Sequence, residues 1–124
     1  MTDNEMNLIR YEYKRISSSL TYLTFEGNFC YPYVFRIKEE LYKLLSENQN
    51  CLLVDLNNLD YIDSVGIGII IGLQLKTKEL NGQFYLICRK GKILKIIELV
   101  GLDNAFKIFS ELEEAEKELL KQVP

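Results

Sequence analysis

The residues with the most chemical potential lie close together, in Asp60-Tyr-Ile-Asp63-Ser64-Val-Gly66-Ile-Gly68. A serine hydroxyl beside two carboxylates suggests three kinds of chemistry: a nucleophile, a phosphate cradle or a phosphoacceptor. A nucleophilic serine needs a base to take its proton. The chain has no histidine and no lysine close to Ser64 in sequence, which leaves only a distant Ser–Lys pair open. Nor is Ile-Asp-Ser-Val-Gly the Gly-x-Ser-x-Gly elbow of hydrolases. A phosphate cradle places its glycines ahead of a helix and usually adds a lysine. Here Gly66, Gly68 and Gly72 follow the serine, and Asp63 would repel a free anion. The phosphoacceptor fares best. A phosphate on a serine at a helix start faces the first-turn N–H groups and the positive end of the helix dipole. It adds roughly two negative charges beside Asp60 and Asp63. The fold tolerates that charge, while a docked partner feels it, so the serine can act as a binary binding switch. The plainer role is a helix N-cap, which Ser64 fills equally well. The two roles are compatible, and the cap role predicts that Ser64→Ala loses about 1 kcal/mol.

Other chemistries are thin. With no histidine and no Cys-x-x-Cys, neither a zinc site nor a Cys–His pair is expected, and no cofactor motif is present. Cys30, Cys51 and Cys88 are far apart and odd in number; Cys51 and Cys88 fall in apolar runs and read as core thiols. Reduced cysteines point to the cytosol. The net charge of −3 offers no general attraction to nucleic acid. The densest basic group, Arg89-Lys-Gly-Lys92, reads as a solvated loop and helix start. The polar start Met-Thr-Asp-Asn-Glu does not read as a signal peptide. The most apolar run, Val65 to Leu73, is far short of the ~20 residues that span a bilayer, so no membrane insertion is expected.

The elements that must position the serine follow from the periodicities. The 124 residues, 48% hydrophobic and 27% charged, can bury a core and fit one domain over 8–122 behind a loose tail at 1–7. Residues 8–16 and 20–25 read as strands of a hairpin joined at Ser17-Ser-Ser19. An amphipathic helix is predicted over 33–47, with Val34, Ile37, Leu41, Leu44 and Leu45 on its apolar face. A buried strand at 51–56 leads through a polar loop at 57–63 into a buried helix that starts at Ser64 and stops at Asn81-Gly82. A strand at 83–88, a helix at 91–100, a strand at 105–109 and a helix at 110–122 complete the chain. The Ser110-Glu-Leu-Glu113 start of that last helix fits a capping box. The order β-β-α-β-α-β-α-β-α implies an α/β fold with a mixed, largely parallel sheet. Functional surfaces of such sheets collect at the carboxyl ends of strands, where the Asp60–Ser64 stretch falls.

The stretch Leu53-Val-Asp-Leu-Asn-Asn-Leu-Asp-Tyr-Ile-Asp-Ser-Val-Gly-Ile-Gly68 resembles the strand, loop and Asp-Ser-x-Gly-hydrophobic-Gly signature of the STAS domain family, specifically bacterial anti-sigma factor antagonists. Gly82 ahead of its strand, and Leu99-Val-Gly-Leu102 before a short strand and an acidic helix, fit in register. The resemblance covers about Ile9 to Leu120. It implies that Ser64 is phosphorylated by a cognate serine-kinase anti-sigma factor using ATP. The unphosphorylated form binds that kinase and frees the sigma factor; the phosphorylated form lets go, and a separate phosphatase resets it. The protein is then a substrate and binding protein, not an enzyme, and a monomer or weak dimer. Asp60, Asp63, Ser64, Val65 and Gly66, with Gly27, Asn28 and Cys30 after the second strand, are the implied partner-binding residues. One position departs from the family pattern: Gly27-Asn-Phe-Cys30 has a cysteine where an aspartate is usual. Two other readings compete. A receiver domain phosphorylated on Asp55 would need an acidic pair after its first strand, and only Ser17-Ser-Ser19 follows Ile16. A STAS subunit of a transport or signalling complex would use the same fold with Ser64 never modified.

Overall fold

The computed structural model describes residues 9–121. The expected tail at 1–7 lies outside them, as do Leu8 and Gln122 at the expected ends of the first strand and last helix. The elements are β1 (Ile9–Arg15), β2 (Leu20–Phe29), a 3-10 turn (Tyr33–Arg36), α1 (Lys38–Lys43), β3 (Cys51–Ile62), α2 (Ser64–Glu79), β4 (Phe84–Ile87), α3 (Lys92–Leu99), β5 (Lys107–Phe109) and α4 (Leu112–Lys121). The five strands lie side by side in chain order. β1 and β2 form the expected antiparallel hairpin, and β2, β3, β4 and β5 are parallel.

Sheet order explains the layering. Three parallel crossovers that each step to the next strand, in one direction and with one hand, leave their helices on one face. The main core has that composition: Leu23, Phe25, Leu52, Val54, Leu56 and Leu86 from the sheet meet Ile37 and Leu41, Ile67, Ile70 and Leu73, and Ile93 and Ile97 from the three crossovers. The other face is smaller. Leu53, Tyr85 and Ile87 are covered by Ala115 of α4, with Leu112 and Leu119 packed alongside. β4 is buried at all four positions because both faces are covered.

Two expectations are corrected. The helix over 33–47 is broken into a 3-10 turn and a six-residue helix, with Ile37 between them. All five expected apolar residues are nevertheless buried. Spacings of three and four residues serve a 3-10 turn running into an α-turn as well as one continuous helix. The loop expected at 57–63 is mostly strand. β3 continues to Ile62, pairing Gly27 with Leu59, Asn28 with Tyr61 and Phe29 with Ile62. Leu59 and Ile62 return to the core, and two register shifts give β3 an extra residue each time, which turns polar neighbours outward. Asp60 is the extra residue at the second shift.

Smaller differences concern the ends. Ala105 and Phe106 precede β5 rather than joining it. The capping box of α4 is displaced by one residue: Glu114, not Glu113, reaches back to accept from the Glu111 N–H at 3.2 Å. Asn57 ties this end of the sheet together, accepting from the Arg89 N–H at 2.7 Å and donating to the Ser110 carbonyl at 3.2 Å. Arg89 adds a two-pronged pair with Glu111, which holds that carboxyl below the usual carboxylate range.

Candidate functional site

Ser64 is the first residue of α2, not its cap. Asp63 is the N-cap: its backbone is extended, and its Oδ1 accepts from the Gly66 N–H at 2.9 Å. Asp and Ser are nearly equal as caps, so two of them in succession give no sequence signal for choosing. The difference frees the serine. Ser64 is exposed, and its hydroxyl has no hydrogen-bond partner among the described residues.

The second oxygen of Asp63 has its own task. Oδ2 accepts from the Tyr31 N–H at 3.0 Å, so one carboxylate joins the start of α2 to the segment that leaves β2. Gly66 brings the same two segments close. A Cβ on Gly66 would stand 2.1 Å from the Phe29 carbonyl oxygen, a backbone atom that cannot step aside. The Asp63 N–H also reaches toward that carbonyl, at 3.4 Å. The family-like Asp-Ser-x-Gly pattern therefore has a local reason: the aspartate caps, the serine is displayed and the glycine admits the neighbouring strand.

The remaining expected site residues divide by exposure. Asp60 is exposed on β3, and Val65 and Asn28 are half-buried. Gly27 is buried at the second register shift with φ of 104°, a conformation that favours glycine. Gly66 is buried as well. Cys30 is buried next to Asp63, and burial first, then that carboxylate, pushes its thiol above the usual range. The cysteine in the aspartate position is thus neutral filler, and Asp63 is the acid of this corner. Cys88 is a core thiol as expected, pushed up to about 11 mainly by burial. Cys51 is only half-buried.

The sequence reading missed one feature of the segment that Asp63 grips. Tyr31 and Phe35 are 61% and 53% exposed and meet edge-to-face, with ring centroids 5.7 Å apart. Their spacing of four was the available signal, split by the start of the helix expected over 33–47. Among the described residues no cluster suits a metal ion, and no helix is long and apolar enough to cross a membrane.

This architecture has relatives. A STAS domain family model matches residues 11–115. The anti-sigma-F factor antagonist RsfB of Mycobacterium tuberculosis is 30% identical over 82 residues, which is 64% of this chain and 64% of that protein. The chain therefore spans less than two thirds of that relative's length. An anti-sigma factor antagonist of Mycobacterium paratuberculosis superposes with a TM-score of 0.79 at 19% identity, covering 90% of this chain and 93% of that one. The anti-sigma factor antagonist SpoIIAA in its unphosphorylated form gives a TM-score of 0.77 at 16% identity, covering 93% and 100%. Those identities carry the fold alone. Together with the family match, and with Asp63, Ser64 and Gly66 in their local roles, they place the chain: it belongs to the STAS domain family.

Proposed function

We propose that this protein is an anti-sigma factor antagonist switched by phosphorylation of Ser64. The observation that carries the reading is the exposed, unengaged hydroxyl of Ser64 on the first turn of α2. Incoming phosphate meets the positive end of the helix there. The names of RsfB and SpoIIAA support the same class of partner. In the transfer, Ser64 Oγ bonds to the γ-phosphorus of ATP, the bond to the departing ADP oxygen breaks, and the hydroxyl proton passes to a base of the kinase. The kinase is the anti-sigma factor itself. The unmodified antagonist occupies it and the sigma factor goes free. The phosphorylated antagonist, with roughly two added charges beside Asp60 and Asp63, releases it. A phosphatase restores the hydroxyl with water. The protein itself serves as substrate and binding partner, without catalysis.

The test uses Ser64→Ala and Ser64→Asp proteins as paired baits in lysate of the source organism, with phosphopeptide mapping of the native protein. An ATP-binding serine kinase recovered on the alanine bait alone, and phosphate mapped to Ser64, are the expected results. Identical partners on both baits, with no kinase among them, would make the protein a structural STAS subunit.

A further inference from the structure

We propose that Asp63 is a positioning residue that couples charge on Ser64 to the segment bearing Tyr31 and Phe35. A phosphate on Ser64 drives the Asp63 carboxylate off the Tyr31 N–H and lets that exposed aromatic pair move away from the start of α2. The inference rests on the reading of Ser64 as a phosphorylation site, and it adds a second consequence of phosphate beyond charge at the partner surface.

Three observations carry it. First, Asp63 holds both segments at once, Gly66 N–H through Oδ1 at 2.9 Å and Tyr31 N–H through Oδ2 at 3.0 Å. Second, the residue that would carry the phosphate is its immediate neighbour, and both groups compete for the same first-turn donors. A phosphoserine carries up to two negative charges and three acceptor oxygens, so it wins N–H groups from a single carboxylate and repels it. Third, the Asp63–Tyr31 bond joins segments 32 residues apart at an exposed position, just beyond the last strand pair Phe29–Ile62, so it can open while the strand pairing holds. Downstream, the 3-10 turn Tyr33–Arg36 is anchored by Val34, whose N–H donates to the Cys30 carbonyl at 3.1 Å and whose side chain is fully buried. Release at Tyr31 therefore shifts the exposed rings without unfolding the turn. Cys30 contributes by being neutral. An aspartate there would already crowd the Asp63 carboxylate, whereas a thiol leaves the contact intact until phosphate arrives.

The test installs phosphoserine at position 64 during synthesis, so that no kinase is needed, and reads amide hydrogen exchange by NMR in the full chain. The Tyr31 N–H should exchange at least about tenfold faster with phosphate than without, the loss of one hydrogen bond worth about 1.4 kcal/mol. The Phe35 ring resonances should shift with it. Asp63→Ala should show fast exchange at Tyr31 in both states, so that phosphate no longer changes it. Asp63→Asn, neutral but still an acceptor, should restore protection and blunt the response to phosphate. Unchanged exchange at Tyr31 on adding phosphate, or a full response in Asp63→Ala, overturns the coupling. Failure of any kinase to modify Ser64 in cells would instead overturn the functional reading and leave this measurement standing.

Discussion

Two junctions of the same topological kind sit at the carboxyl edge of the sheet. Each leads from a parallel strand into a crossover helix. At the first, β3 runs into α2 through Asp63, which caps the helix and grips the neighbouring segment, while Gly66 admits the Phe29 backbone. At the second, β4 runs into α3 through Gly91, which caps with no side chain; the charged residues that flank it in sequence are basic, Arg89, Lys90, Lys92 and Lys95, with Arg89 paired to Glu111. That helix has no acid in its first turn and leaves its last residue, Leu99, 82% exposed. The first junction is held from several sides, acidic and ordered about one displayed hydroxyl. The second is tied ahead of the helix by Asn57 to the Arg89 N–H, and the helix itself is anchored by Ile93 and Ile97 with no side-chain cap. Shared topology thus supplies two candidate sites, and local side-chain chemistry equips only one of them as a preorganised platform.

Substitutions break or sharpen this contrast. The largest effect should come from Gly66→Ala, whose methyl collides with backbone; about 2–3 kcal/mol of stability should disappear in urea unfolding. A loss under 0.5 kcal/mol would mean that the close approach to Phe29 is not rigid. Next, Asp63→Ala removes two hydrogen bonds and a cap and should cost about 2 kcal/mol. Ser64→Ala, measured beside it, should stay within about 0.5 kcal/mol. The loss of about 1 kcal/mol that a capping serine would show therefore moves to its neighbour, and equal losses at both positions would return the cap to Ser64. Gly68→Ala should go the other way. Its Cβ meets nothing within 4 Å, so replacing a mid-helix glycine should stabilise by about 0.5–1 kcal/mol, seen as a higher denaturant midpoint. The smallest effect tests the second junction. Lys92→Glu puts an acid in the uncharged-by-acid first turn of α3 and should stabilise by about 0.5 kcal/mol at low salt, fading as salt is added. Ser64→Asp should gain less, because Asp63 already serves the first turn of α2.

Sequence and structure divide the explanation of these junctions along physical lines. Alternation and helical spacing depend on which residues are apolar, and that information is local. The hairpin, the four parallel strands, the buried α2 and the apolar residues of 33–47 were all legible for that reason. So was the Asp-Ser-x-Gly stretch as the place to look. The loop assigned to 57–63 failed because polar residues at a bulge look like a loop when the pairing strand is unseen. The cap was assigned to Ser64 because Asp and Ser cap with similar strength, and only the Gly66 N–H and the backbone geometry distinguish them.

By itself, then, the sequence determined the fold class, the element order and the serine that stands at the start of the second crossover helix, since each follows from the chemistry of neighbouring residues. Tertiary structure alone decided that Asp63 holds both α2 and Tyr31, that Gly66 is small because of Phe29, and that the segment Asp63 grips carries the exposed pair Tyr31 and Phe35. Those facts join residues about thirty positions apart, and such contacts are set by how strands and helices pack, which no local pattern records.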